Sequence, residues 1–294
     1  MDLDDLITEE SSDHARDLDL RATGELVELM NRLDAAVPDA VGAAAGTVAA
    51  VIDHVVERLR GGGRLIYVGA GSSGRQAVAD AAECEATFST SLGQVVAVFA
   101  GEQEKAEDDT EAGARALREL SVGAADAVIG VSASGRTPYV LAAVDVAARA
   151  GAFTACIVCA PGSPLAELVA RQIAVIVGPE FVAGSTRLKA GTAQKLVLNQ
   201  ISTVSMVRLG KVFDNLMVDV AADNEKLRAR ARRIVQTVTG ASGDEAEDAL
   251  AAADGSAKVA IVSLLSRLTP EDARSRLAAT GGDIRAALEG VATR

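Results

Sequence analysis

Residues 65–75 read LIYVGAGSSGR, and residues 127–137 read AVIGVSASGRT. Each stretch opens with an apolar run typical of a buried strand and closes with a loop of Gly, Ala and Ser that ends in Gly-Arg. A helical pattern follows each loop. A strand, a small-residue loop and a helix in this order are typical of the edge of a parallel sheet where ligands bind.

The two stretches belong to a longer alternation of strands and helices. Apolar runs at 64–69, 95–100, 126–132, 153–160 and 172–177 predict five strands, and the segments between them predict helices at 73–85, 107–121 and 138–150 and a short one at PLAELV. Short links between strand and helix predict an α/β fold with a doubly wound, five-stranded parallel sheet. A hydrophobic fraction of 49% with only 2% aromatic residues suits a core of Val, Ala, Leu and Ile.

Helical patterns flank this alternation on both sides. Helices are predicted over ATGELVELMNRLDAAV and 42–60, then over 189–210 and about 220–239, and a further set of short helical patterns begins at Asp244. We therefore predict an N-terminal helical segment at 1–60, a ligand-binding domain with a long helix at 61–240, and a small three-helix domain at 241–294.

Charge and composition limit the possible partners. A net charge of −12 argues against nucleic acid and anionic membrane surfaces, because both require basic patches. The acidic start MDLDDLITEE lacks a signal-peptide pattern, and no long apolar run predicts a membrane span, so a cytoplasmic location is expected. Cys156 and Cys159 form a CxxC inside a predicted strand, which indicates buried core thiols rather than a zinc site.

The small-residue loops favour an anionic ligand, with phosphate as the natural candidate. Backbone N–H groups at a helix N-terminus and serine hydroxyls donate to anionic oxygens, and glycines allow close approach. The candidate phosphate-binding residues are Gly71, Ser72, Ser73, Ser132, Ser134, Gly135 and Thr137. Helix capping is the structural alternative for the hydroxyl residues. Gly69, Gly71 and Gly74 also match the dinucleotide-binding Gly-x-Gly-x-x-Gly, but the second serine loop has no place in a dinucleotide site.

These motifs resemble the sugar isomerase (SIS) fold, and within it the N-acetylmuramic acid 6-phosphate etherases. The similarity covers nearly the whole chain. It is carried by LITEE, GGRLIYVGAGSSGR, DAAECEATF at 80–88, AEDD at 106–109, the specific block GPEFVAGSTRLKAGTAQKLVLNQIST at 178–203 and GKVFDNLMVDVAADNEKLRARA at 210–231.

The resemblance implies cleavage of the D-lactyl ether of N-acetylmuramic acid 6-phosphate to N-acetylglucosamine 6-phosphate and D-lactate, in the recycling of cell-wall sugars. It implies Glu83 as proton donor and Glu107 as the second catalytic carboxylate, with no metal or other cofactor. Glu180, Ser185 and Lys189 become further substrate-binding candidates, although helix capping and interface packing are equally open to them. Related folds build their sites across a dimer, so a homodimer is expected.

Three other functions stay open at this point. A non-catalytic sugar-phosphate-binding regulator would share the phosphate loops and need no carboxylate pair. An aldose–ketose isomerase would share the fold, and a nucleotide-dependent oxidoreductase would use only the glycine motif. The stretch ECEATF departs from the family's usual Cys-Pro-Pro-Thr-Phe, and the connection from Glu83 to Glu107 is shorter than usual, so the sequence leaves the exact substrate open.

Overall fold

The computed structural model describes residues 7–219 and 225–289, apart from the side chain of Glu104. Within these residues the chain forms two compact units. The first comprises 7–82 and 93–202, and the second comprises 83–92, 203–219 and 225–289. These units divide the chain differently from the three segments expected from the sequence, and those segments stay a prediction.

The first unit is built on a parallel sheet. Its strands are β1 (Leu65–Gly69), β2 (Val95–Phe99), β3 (Ala127–Val131), β4 (Phe153–Val158) and β5 (Arg171–Ala174), in the spatial order β2-β1-β3-β4-β5. All four strand pairings are parallel. The predicted five-stranded parallel sheet is confirmed. The last strand ends at Ala174 rather than at residue 177.

Helices connect and flank these strands. Their bounds are α1 (Thr23–Asp34), α2 (Val37–Ala43), α3 (Ala45–Arg60), α4 (Gly71–Phe88), α5 (Thr110–Glu119), α6 (Pro138–Arg149), α7 (Pro164–Leu168) and α8 (Lys189–Arg208). One face of α3, made of Val, Ile and Leu residues that recur every three or four positions, is buried, and so is the apolar face of α6. The predicted helix at 107–121 begins later, because the Asp109 carboxylate accepts the backbone N–H of Ala112 and caps α5. Residues 104–108 form a 3-10 turn instead.

The second unit contains a short ribbon and a helical bundle. Strands β6 (Val212–Phe213) and β7 (Leu216–Met217) pair antiparallel. The helices are α9 (Glu225–Thr239), α10 (Gly243–Ala252), α11 (Ala257–Ser266), α12 (Pro270–Ala279) and α13 (Ile284–Leu288). Four helices, α10 to α13, follow residue 240 in the described chain, one more than the three expected there. The start of the helix predicted over about 220–239 lies outside the described residues.

The register between β1 and β3 decides where the two serine loops leave the sheet. Gly69, the last residue of β1, pairs with Val131, the last residue of β3. Both strands are parallel and fully buried. The GAGSS and SAS loops therefore begin side by side at the carboxyl edge of the sheet, as expected for a ligand-binding edge.

A buried ion pair holds the opposite ends of the same two strands together. Asp126, at 4% exposure, accepts from the Arg64 guanidinium (2.7 and 3.0 Å), from the backbone N–H of Arg64 (3.1 Å) and from that of Gly123 (3.0 Å). Desolvation raises the pKa of the Asp126 carboxyl, but the bonds from Arg64 and Gly123 outweigh it, so that the pKa lies below its usual value. The pair fixes the start of β1 against the start of β3.

The cysteines are core residues. Cys84, Cys156 and Cys159 are all buried. Burial raises the pKa of the Cys156 thiol to about 12, and burial together with the negative charge of Glu180 raises that of Cys159 to about 12. Both thiols therefore stay protonated at neutral pH, which agrees with the expected role of buried core thiols.

Asp126→Asn should destabilise the first unit, because the guanidinium of Arg64 then faces a neutral amide. We expect about 2–3 kcal/mol less free energy of unfolding at pH 7, measured by chemical denaturation. A depressed carboxyl pKa contributes stability above the unfolded-state value of about 4 and loses that contribution as the pH falls through the folded value. The difference in free energy of unfolding between Asp126→Asn and wild type should therefore shrink below about pH 4.

Asp145→Asn is the matched control, since Asp145 forms an exposed pair with Arg149 on α6. Removing that pair should change the free energy of unfolding by less than about 1 kcal/mol. Equal effects of Asp126→Asn and Asp145→Asn would contradict the assigned role of the buried pair.

Candidate active site

A cleft of about 440 Å³ lies at the carboxyl edge of the sheet in the first unit. Its floor is formed by the two serine loops and by the residues that precede α8. The residues lining it are Glu9, Ala70–Ser73, Arg75, Gly101–Gln103, Glu107, Val131–Ser134, Thr137 and Gly184–Arg187. Of the residues predicted from the sequence, Gly71, Ser72, Ser73, Glu107, Ser132, Ser134, Thr137 and Ser185 thus come together in one cleft.

Glu107, in the 3-10 turn that precedes α5, lines this cleft. Its carboxylate lies against Gly71, where a Cβ would come within 2.5 Å of Oε1. Gly71 has a φ of +51°, a backbone conformation that side chains rarely adopt. Glycine at this position therefore makes room for the carboxylate beside the N-terminus of α4.

The second loop is held by its own hydroxyl groups. Ser132 is buried, and its Oγ accepts the backbone N–H of Gly135 (3.1 Å) and lies 2.9 Å from Thr137 Oγ1. Thr137 precedes α6 but makes no side-chain capping bond to it. The Ser134 hydroxyl accepts the N–H of Arg136 (3.3 Å). Gly135 is buried and does not line the cleft, and its contact with the ligand stays a prediction.

In the first loop, Ser73 makes a contact distant in sequence. Its hydroxyl donates to Oε1 of Gln194 on α8 at 2.8 Å. Gln194 is 1% exposed. Ser72 and Ser73 stand in the first turn of α4, where backbone N–H groups lack intrahelical partners and the helix dipole favours an anion.

Glu180 and Lys189, two of the predicted substrate-binding residues, are not among the residues that line the cleft. Glu180 is fully buried, and its carboxylate accepts the backbone N–H groups of Lys189 and Ala190, both at 2.9 Å, which caps α8. The Lys189 ammonium donates to the carbonyl of Val177 (2.6 Å), and burial lowers the pKa of this ammonium although Glu180 opposes the shift. Neither residue lines the cleft. Contact of Glu180 and Lys189 with the sugar stays a prediction. Helix capping, the alternative role, is seen for the Glu180 carboxylate.

Glu83 lies further along α4, in the second unit, and its side chain is exposed. It is not among the residues that line the cleft. Its assignment as proton donor stays a prediction.

Several lining residues were not among the predicted site residues. Glu9 lies against Gly184, whose N–H donates to the carbonyl of Thr8 (2.9 Å). Arg187 lines the cleft, while Arg75 is paired with Glu102 at 2.8 Å. Glu9 belongs to the LITEE stretch, which contributes to the family resemblance but predicts no site residue. No pattern near Glu9 in the sequence indicates that it lies at the cleft.

A larger cavity, of about 860 Å³, lies in the second unit among residues of α9 and α10. It holds none of the predicted site residues and none of the serine loops. The cleft at the sheet edge is therefore the candidate active site. Within the described residues no group of three or more His, Cys, Asp or Glu side chains could hold a metal ion.

No single helix in residues 7–219 and 225–289 is long and apolar enough to span a bilayer. Two bent pairs of helices, α1–α2 with α3 and α10 with α11, reach the required length and composition only when taken together.

The sheet, its strand order and the paired serine loops define a protein of the sugar isomerase fold class. A sequence model described as "Glucokinase regulatory protein N-terminal SIS domain" matches residues 47–148. A Bacteroides fragilis structure, described as a phosphosugar isomerase involved in capsule formation, aligns with 64% of this chain and 94% of its own at a TM-score of 0.50 and 19% identity.

Curated relatives identify the family. An N-acetylmuramic acid 6-phosphate etherase of Rubrobacter xylanophilus is 58% identical over 97% of both chains. That of Streptomyces coelicolor is 50% identical over 97% of this chain and 94% of its own, and etherase 2 of Vibrio cholerae is 44% identical over 98% and 96%. The chain belongs to the N-acetylmuramic acid 6-phosphate etherase family.

Replacing Gly71 by Ala should push the Glu107 carboxylate out of place. We expect kcat for ether cleavage to fall by about tenfold or more, because a displacement of about 1 Å in the expected catalytic carboxylate is enough for such a loss. Gly62→Ala is the matched control: Gly62 also has a positive φ, of +81°, but a Cβ there meets no atom within 4 Å. Equal kcat losses in both variants would show that backbone strain alone is responsible.

Proposed function

We propose that the protein cleaves the D-lactyl ether of N-acetylmuramic acid 6-phosphate to give N-acetylglucosamine 6-phosphate and D-lactate, in the recycling of cell-wall amino sugars. The observation that carries this proposal is the membership of the etherase family over almost the full chain, at up to 58% identity among the relatives compared. The cleft supports it, since one carboxylate lies directly beside a loop suited to a phosphoryl group.

The chemistry needs acid–base groups and a ring-opened sugar. In the open form the aldehyde at C1 makes the proton on C2 acidic, and the lactyl oxygen on C3 stands in the position of a leaving group. A base removes the C2 proton, the C2–C3 double bond forms as the C3–O bond breaks, and an acid protonates the departing lactate oxygen. Water then adds across the double bond, with its hydroxyl going to C3 and a proton to C2.

We assign the two proton-transfer roles to Glu107 and Glu83. Glu107 is held beside Gly71, so a sugar whose phosphoryl group binds at the N-terminus of α4 and the SAS loop brings its carbon chain towards that carboxylate. Glu83 is the proposed proton donor to lactate. Ser72, Ser73, Ser132, Ser134 and Thr137 are the proposed phosphate-binding side chains, with Ser185 towards the sugar.

We further propose a cytoplasmic homodimer. The apolar side chains of Val204 and Val207, three residues apart on α8, are 40% and 43% exposed, which suits a helix face that packs against a second copy. The buried, protonated thiols of Cys156 and Cys159 suit a reducing compartment. Because Glu83 does not line the cleft of its own chain, a second copy is the proposed source of the proton donor.

Purified protein incubated with N-acetylmuramic acid 6-phosphate and a chelator should release D-lactate in a one-to-one ratio with N-acetylglucosamine 6-phosphate. Glu107→Gln and Glu83→Gln should each lower kcat by about a hundredfold or more, since each removes a proton-transfer group. Glu111→Gln, which removes an exposed carboxylate of α5 paired with Arg118, is the control and should leave kcat unchanged. Tight binding of the sugar phosphate without lactate release would favour the non-catalytic regulator instead.

Mixing the two inactive variants tests whether the site is shared between chains. If Glu83 of one copy serves the cleft of the other, a Glu83→Gln/Glu107→Gln heterodimer contains one intact site. Equal amounts, refolded or exchanged together, should then recover roughly a quarter of the wild-type activity. A mixture as inactive as its components, with heterodimers demonstrated by mass, would contradict a shared site.

A further inference from the structure

The hydrogen bond between Ser73 and Gln194 has a direction that matters for ligand binding. An amide oxygen can only accept, so at 2.8 Å from Gln194 Oε1 the Ser73 hydroxyl must be the donor. The terminal oxygens of a phosphate dianion also only accept. In this arrangement the proton of the Ser73 hydroxyl therefore points at Gln194 and is withheld from a phosphoryl group in the cleft.

The side-chain amide of Gln194 has a buried donor group that makes no hydrogen bond within the described residues. The residue is 1% exposed, and its Nε2 finds no hydrogen-bond partner among the residues that the structure describes. A buried donor without a partner is unfavourable, and native structures rarely keep one. The amide thus has a reason to turn over, and a ligand that accepts the Ser73 proton adds to it.

A rotation of the Gln194 amide by half a turn exchanges its nitrogen and oxygen. Nε2 then lies where Oε1 was, within hydrogen-bond distance of Ser73 Oγ, and donates to it. The hydroxyl, now an acceptor from Gln194, has its own proton free to donate to a phosphate oxygen. In the new arrangement Nε2 has a hydrogen-bond partner, and the Ser73 hydroxyl becomes one more donor to the ligand. The Gln194 Oε1 atom loses its hydrogen bond from Ser73.

We propose that Gln194 is a positioning residue for Ser73, and that its amide turns over when a sugar phosphate binds, so that the Ser73 hydroxyl donates to the phosphoryl group. This role rests on the proposed function only in taking the cleft as a phosphosugar site. Gln194 acts through Ser73 and does not touch the ligand, since it is not among the residues that line the cleft.

The test measures binding rather than turnover. N-acetylglucosamine 6-phosphate is titrated by calorimetry into wild type, Ser73→Ala, Gln194→Met and the double variant, with the fold of each checked by thermal unfolding. Methionine has a similar volume and removes both hydrogen-bonding modes without adding charge. Ser73→Ala should raise Kd by about tenfold, as for loss of a donor to a charged group. Gln194→Met should raise it several-fold.

The decisive comparison is the double variant. Because Gln194 works through Ser73, Gln194→Met should add nothing in the Ser73→Ala background. Multiplied penalties, or a Gln194→Met protein that binds like wild type, would overturn the proposal. Wild type that fails to bind the sugar phosphate would overturn the site itself, and with it the proposed function.

A second variant gives a signature that loss of packing would not produce. In Gln194→Glu the carboxylate can only accept and holds the Ser73 proton away from the ligand, whereas its protonated form can donate like the amide. The ratio of its Kd to that of wild type should fall as the pH is lowered from 8 to 5, and fall less in the Ser73→Ala background. Gln200→Glu, half-buried two turns further along α8, is the control and should show a constant ratio. A ratio for Gln194→Glu that does not change with pH would contradict the proposal.

Discussion

The parallel register between β1 and β3 is the constraint on which the candidate site depends. Because Gly69 pairs with Val131, the two serine loops leave the sheet at the same height and on neighbouring strands. A shift of the register by one residue would exchange the faces of every side chain in a strand that is buried on both sides. Asp126 and Arg64 reinforce the same register from the other end of the two strands.

The proposed phosphate site depends on backbone dipoles rather than on a cluster of positive charges. Three of its lining residues, Glu9, Glu102 and Glu107, are acidic, and Arg75 is already paired with Glu102. The N-terminal turn of α4 supplies unpaired N–H groups and the positive end of a dipole, which favour a phosphoryl group without a cluster of cations. A chain with a net charge of −12 can thus hold a phosphosugar while keeping a carboxylate within its reach.

Much of the fold was predictable because buried parallel strands appear in a sequence as continuous apolar runs. All five strands and their order along the chain follow from those runs. The serine loops were predictable for the same reason, since each directly follows such a run. The sequence did not predict the 3-10 turn at 104–108, because the polar stretch there is compatible with a helix until the cap formed by Asp109 is known.

Other features that sequence patterns did not predict depend on contacts distant along the chain. Ser73 meets Gln194 across 121 positions, and Glu9 returns to Gly184 from the opposite end of the first unit's sequence. Glu180 and Lys189 stand in a specific motif that suggests a ligand, and that role stays a prediction; in the structure the Glu180 carboxylate caps α8, and the Lys189 ammonium donates to the Val177 carbonyl. A motif therefore marks where a chain is constrained, and only the partner atoms distinguish a residue that binds a ligand from one that holds the binding residues in place. The hydrogen bond between Ser73 and Gln194 joins one residue of each kind. Ser73 lines the cleft, whereas Gln194 is buried and does not line it.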